Sequence, residues 1–285
     1  MARAQDDGTD VPDVLPADGA AVIPAEGVFP GYRVLAYYGF PGNPYMGILG
    51  EHEPEALLAL LQEQAAAYIA APEPAEEARP WRLAFETMAS VAQAEAGADG
   101  LYLIRTDPAV IQRSIDFTAA NGLLLVLDCQ FGRDTLEAEL AGVREYLRHP
   151  HVHLALDPEF KVPEGERPGV DLGFITGPLV TQAQETVAAW AREDGLAPKF
   201  LVVHQFHPYM IQEKGLISPV PGVQLVIDAD GWGSPAEKAF SWDLVIAQEP
   251  IEHHGIKLFY RQDAPLMTPD EVLALAPAVD FIMYQ

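Results

Sequence analysis

The chain has 285 residues, 49% of them apolar, and 42 acidic side chains against 17 basic ones give a formal net charge of −25. A surface so negative repels nucleic acid and anionic lipid, so neither is expected as a partner. No apolar run approaches the ~20 residues that a membrane span needs, and no intact secretory signal is present.

Residues 1–30 are rich in Asp, Pro, Ala and Gly and show no period, so a flexible acidic leader is expected there. It reads either as the tether of an exported or lipid-anchored protein whose signal has been removed, or as an ordinary disordered terminus. The expected location is extracellular or cell-surface attached, with the cytoplasm also compatible.

From residue 31 onward, short apolar runs alternate with amphipathic stretches. The strand candidates, in order, are YRVLAYYGF, WRLAFETMA, GLLLVLDCQ, VHLALDPEF, KFLVVHQFH, VQLVIDADG, IKLFYRQD and VDFIMYQ. Between them lie the helical patterns EPEALLALLQEQAAAYIAA, DPAVIQRSIDFTAANG, DTLEAELAGVREYLRHP, TGPLVTQAQETVAAWAREDG and TPDEVLALAP. The segment GLYLIRTD fits either an extra strand or an edge hairpin. Strands separated by helices pair in parallel through right-handed crossovers. Eight of them, each continuously apolar, predict one α/β domain over residues 31–285, a parallel eight-stranded (β/α)8 TIM barrel. An open doubly wound sheet would carry a glycine-rich phosphate loop after its first strand, and GFPGNPYMG has no such pattern.

The single cysteine, Cys129, allows no intramolecular disulfide. It sits next to Asp128 on an alternating strand, so it is expected to face the helix layer as a packed thiol.

Barrel sites form at the C-terminal strand ends, where residues i and i+2 share a face. Strand two carries Glu86; strand three ends Asp128-Cys129-Gln130, strand four Asp157-Pro158-Glu159, and strand five His204-Gln205-Phe206-His207. Strand six ends Asp228-Ala229-Asp230 and strand seven Tyr260-Arg261-Gln262-Asp263. A merely solvated rim would hold mainly Lys, Ser and Asn; these are residue types that bind sugars, move protons or ligate metals. Tyr37 and Tyr38 end strand one, Trp232 follows the strand-six acids and Tyr284 lies in strand eight, adding rings on which sugars stack.

Glycoside hydrolysis uses two carboxyl groups, about 5–5.5 Å apart for retention or about 6.5–9.5 Å for inversion, one of them protonated near neutral pH. Glu159 is the expected general acid, with Asp157 below it to raise its pKa and orient it. Asp228 or Asp230 is the expected base, nucleophile or stabiliser of a substrate-derived nucleophile. Glu86, Asp128, Gln130, His204, Gln205, His207, Tyr37, Tyr38, Trp232, Tyr260, Gln262 and Tyr284 are expected to bind substrate, a carbohydrate or other polar polymer. No cofactor and no resident metal is assigned.

The ending LALDPEF, together with the terminal FIMYQ, resembles the barrel glycoside hydrolases, most nearly the lysozyme-like family 25, whose strand four carries Asp-x-Glu. The resemblance covers a few residues and the strand order. It implies Glu159 as acid and Asp157 as its assistant. The family also carries an aspartate near the end of strand one, where this chain reads LAYYGF.

Two alternatives stand beside it. A metal-dependent hydrolase would draw on His204, His207, Asp128, Asp157 and Asp228, although strand one does not end in His-x-His and no HExxH occurs. A non-catalytic exported barrel would hold a glycan without cleaving it. His151, His153 and the EHHG stretch precede strands four and seven and are expected at the opposite, N-terminal face. No G-x-S-x-G is present.

Overall fold

The computed structural model describes residues 21–29, 31–74 and 77–285. Eight parallel strands close into a barrel: β1 (Arg33–Gly39), β2 (Trp81–Ala92), β3 (Leu124–Cys129), β4 (Val152–Leu156), β5 (Lys199–Gln205), β6 (Val223–Ala229), β7 (His253–Leu258) and β8 (Phe281–Tyr284). Each pairs with the next, and β1 pairs with both β2 and β8, which closes the ring. The expected TIM barrel is therefore the fold. The segment left open in sequence, GLYLIRTD, contributes a short antiparallel strand, Leu103–Arg105, on the extended end of β2.

Helices α1 (Pro54–Ala70), α2 (Pro108–Ala120), α3 (Leu136–Val143) and α4 (Gly177–Glu193) follow β1 to β4. Helix α5 (Pro235–Trp242) follows β6, and a short α6 (Pro269–Leu273) follows β7. Between β5 and β6 the chain makes only 3₁₀ turns and a two-residue strand, Ile211–Gln212. That strand pairs with Ile175–Thr176, tying together the long loops after β4 and β5. Among the described residues no helix is long and apolar enough to cross a membrane.

Strand parity sorts the core into two shells. Leu35, Leu125, Leu154, Leu201, Leu225 and Ile282 point outward under the helices, with Cys129 among them as expected. Val34, Ala36, Ala84, Val126, Ala155, Val202, Val226 and Met283 fill the barrel itself. Burying each branched side chain contributes roughly 1.5–3 kcal/mol, and the ring of them fixes strand register.

The floor is aromatic. His153 stacks on Phe200 at 3.8 Å, and the ring of Phe29 meets Phe200 edge-on at 5.2 Å. Packing reaches back into the end of the expected leader. Val28 and Phe29 are buried, and both donate backbone N–H groups to Gln224 Oε1, at 2.8 and 3.4 Å. Ala21, Val28 and Phe29 join the apolar cluster of the barrel interior, with Phe29 against Phe200 at its N-terminal end, while Val22 stays exposed. The rest of the leader, residues 1–20 and residue 30, lies outside the described residues.

Candidate functional site at the C-terminal mouth of the barrel

Above the apolar layers the barrel interior turns ionic. The parity that puts Ala84, Val126, Ala155, Val202 and Val226 inside also puts Glu86, Asp128, Asp157, His204 and Asp228 there, one step nearer the C-terminal ends. Register brings neighbours level, with His204 beside Asp228 and Tyr38 beside Glu86. Gly255 sits next to Asp228, where a Cβ would lie 2.5 Å from Asp228 Oδ1; a side chain at 255 would displace that carboxylate.

His204 is the hub. Its Nε2 lies 2.9 Å from Glu86 Oε1, and its Nδ1 lies 3.3 Å from Asp228 Oδ2 and 3.5 Å from Asp230 Oδ2, though neither carboxylate is aligned for a hydrogen bond. Burial opposes charge on the imidazole, but the Asp228 and Glu86 carboxylates outweigh it and hold His204 well above its ordinary pKa. Burial raises Glu86 to about 7. Burial also raises Asp128, whose Oδ2 accepts from Tyr38 Oη at 2.8 Å, and raises Asp230.

Directly above lies a cavity of ≈ 700 Å³. Tyr38, Gln130, Asp157, Glu159, Asp230, Lys257, Trp232 and Gln262 line it with polar or ring groups; Tyr45, Met46, Phe160, Phe206 and Phe259 complete its walls. Asp157 Oδ1 accepts from the backbone N–H of Glu159 at 3.1 Å, which fixes the turn carrying the Asp-x-Glu pair. Burial, reinforced by the charge of Asp128, raises the Asp157 carboxyl well above its usual range. The half-buried Glu159 is raised to about 7, first by burial and then by the Asp230 charge. A carboxylic acid at about 7 on a cavity wall suits proton donation near neutral pH. The Trp232 ring is 68% exposed at the rim.

The structure thus gathers Tyr38, Gln130, Asp157, Glu159, Asp230, Trp232 and Gln262 at the cavity, with Glu86, Asp128, His204 and Asp228 in the layer beneath. Five of the expected residues lie away from the cavity. Tyr37 and Tyr284 have the opposite parity to Tyr38 and Met283, so they point outward. There they join Tyr260 and Tyr68 in a cluster against α1: Tyr260 stacks on Tyr284 at 5.1 Å, and the hydroxyls of Tyr68 and Tyr284 are 2.8 Å apart. Gln205 likewise alternates away from His204, and its Oε1 accepts from Lys214 Nζ at 2.9 Å. His207 is exposed and caps a 3₁₀ turn, its Nδ1 accepting from Tyr209 N–H at 3.2 Å.

Lys257 belongs to no motif in the sequence. Its Nζ lies 3.7 Å from the centroid of the Tyr38 ring, and its charge lowers the pKa of Glu86, Asp128, Glu159 and Asp230. A lysine inside an apolar strand normally reads as a solvated edge position. The signal was its spacing, two residues from Gly255 and two from Phe259, on the inward parity.

No protein-family model and no curated protein matches the chain, so the site's chemistry rests on its own geometry.

Proposed function

We propose that the barrel is a glycoside hydrolase that cleaves a polysaccharide or glycan in the mouth cavity, with Glu159 as general acid. The observation that carries this reading is the half-buried Glu159 on the cavity wall, held at about 7 by burial and by Asp230. Glu159 would donate its proton to the departing glycosidic oxygen. Asp230, which lines the same cavity, would act as base, nucleophile or stabiliser of a substrate-derived nucleophile, and Asp157 would set the Glu159 turn through its backbone N–H. Asp228 lies deeper, against His204, and acts in this reading as a support for the imidazole. Trp232 offers an apolar face for a sugar ring, and the resemblance of LALDPEF to the family 25 strand-four motif assigns the same two roles to Glu159 and Asp157. An extracellular or cell-surface glycan is the substrate expected.

The test is a panel of neutral and amino-sugar polysaccharides, followed by appearance of reducing ends. Wild-type protein should release them from at least one, and Glu159→Gln should lose about 10²–10⁴-fold in kcat. Full turnover by Glu159→Gln on an identified substrate would refute the assignment. Binding without cleavage by the wild type would favour the glycan-holding barrel instead.

A further inference from the structure

We infer that Glu86, Asp128 and His204 form a binding site for a divalent first-row transition-metal ion in the layer beneath the cavity. One ligand atom from each lies within 4.8 Å of the other two, and all three residues are buried at inward-facing positions, Glu86 and Asp128 on the neighbouring strands β2 and β3 and His204 facing them from β5. Ligand atoms around an ion bonded at about 2.0–2.2 Å sit roughly 3–4 Å apart, so small side-chain adjustments complete the set.

Three further features point to an ion. Glu86 Oε2 and Asp128 Oδ1 are buried with no hydrogen-bond partner, although buried carboxylate oxygens are ordinarily satisfied. Outer partners of a metal site are at hand: Tyr38 Oη holds Asp128 Oδ2 and leaves Oδ1 free, while Asp228 and Asp230 stand 3.3 and 3.5 Å from His204 Nδ1, within reach of a hydrogen bond after a small rotation. A carboxylate behind the far nitrogen of a ligating histidine orients the ring and raises its basicity. Charge provides the third. Glu86, Asp128, Asp157, Asp228 and Asp230 put five carboxyl groups inside the barrel against two basic side chains, His204 and Lys257. An ion on Nε2 in place of its proton would reduce that imbalance where Glu86 and Asp128 converge.

An imidazole with two carboxylates and no thiolate suits Zn²⁺, Co²⁺ or Mn²⁺. Mg²⁺, which demands oxygen ligands in near-octahedral array, should bind far more weakly. The inference does not depend on glycosidase activity and survives the failure of that reading.

Untagged protein, stripped with chelator and dialysed, would be titrated with Zn²⁺ and Co²⁺ by calorimetry, with metal content measured by mass spectrometry. One ion per chain and a raised melting temperature are expected, together with a Co²⁺ visible spectrum typical of nitrogen and oxygen ligands. Glu86→Gln and Asp128→Asn should each weaken binding at least tenfold. Asp228→Asn, one step removed, should weaken it about 10–100-fold, while His52→Asn on the exposed surface should leave it unchanged. Absence of stoichiometric binding by the wild type overturns the site whether or not any variant folds. So does wild-type affinity in a folded Glu86→Gln or Asp128→Asn.

Discussion

Substituting Glu159 by Gln should disable the proposed acid and, in the same stroke, stabilise the protein at alkaline pH. The carboxyl rises from an ordinary 4.5 to about 7 in the folded chain, so the native state holds a proton that the unfolded state has released. Stability must then fall as pH climbs from the unfolded value towards the folded one. With ~1.4 kcal/mol per pKa unit, the group costs about 1 kcal/mol near pH 5 and about 3 kcal/mol near pH 8.5, less where Asp230 shares the titration. Glutamine never ionises and so escapes this cost. The variant's stability relative to wild type should therefore grow by about 2 kcal/mol between those two pH values. Urea unfolding across the range measures it, and needs no substrate. If the difference between the two proteins stayed flat with pH, Glu159 would not be held protonated, and its role as acid would fall with it. The catalytic counterpart is an alkaline limb in kcat centred near pH 7, present in wild type only.

Other perturbations reach different parts of the site. Gly255→Ala would place a Cβ 2.5 Å from Asp228 Oδ1; an overpacked core of this kind loses about 1–3 kcal/mol, measured as a lower urea midpoint. An unchanged midpoint would mean Asp228 moves freely. Lys257→Met removes a positive charge that lowers Glu159 and Asp230, so the alkaline limb should move to higher pH while the melting temperature drops; an unmoved limb would place Lys257 outside the electrostatics of the acid. Trp232→Ala, at an exposed rim position, should raise KM several-fold with melting temperature unchanged, and a loss confined to kcat would contradict a stacking role. Cys129 is fully buried and its thiol is pushed well above the ordinary value by burial, so a thiol reagent should label it only after unfolding.

The barrel was legible because its signal is redundant. Eight apolar runs alternated with helical patterns, and right-handed parallel crossovers leave few ways to arrange them. Cys129 facing the helices, and the placement of Asp157, Glu159 and Asp230 around one cavity, followed from the same alternation. Strict alternation also separates neighbours that look alike in sequence. Tyr37 and Tyr38 are adjacent, so only one can face inward, and the neighbours Val34 and Ala36 already select Tyr38. The same test separates Tyr284 from Met283 and Gln205 from His204. Helix α5 carried a readable start, Ser234 with Glu237 three residues on, and the two form a reciprocal capping box; its short apolar face hid it. The packing of Val28 and Phe29 had no periodic signal at all, since a plug is defined by the hole it fills.

The vertical order of the barrel explains why Glu159, rather than one of its more deeply buried neighbours, is the acid proposed. Phe200, Val202 and His204 climb one strand from apolar floor to ionic layer, and Val226, Asp228 and Asp230 climb the next. Glu86 and Asp128 lie low enough to be wholly enclosed, paired with His204 and Tyr38, where no substrate atom can reach them. Asp157 touches the cavity but is turned back to accept the Glu159 backbone N–H. Among these acids Glu159 combines partial exposure and a longer side chain with burial enough, helped by the Asp230 charge, to keep its proton on near neutral pH. In the proposed reading the buried layer serves a geometric purpose: Glu86 holds His204 and Asp157 holds the turn of Glu159. The pH-dependent stability of Glu159→Gln and the metal affinity of Glu86→Gln therefore report on two separate levels of the barrel mouth, the half-buried cavity wall and the enclosed layer beneath it.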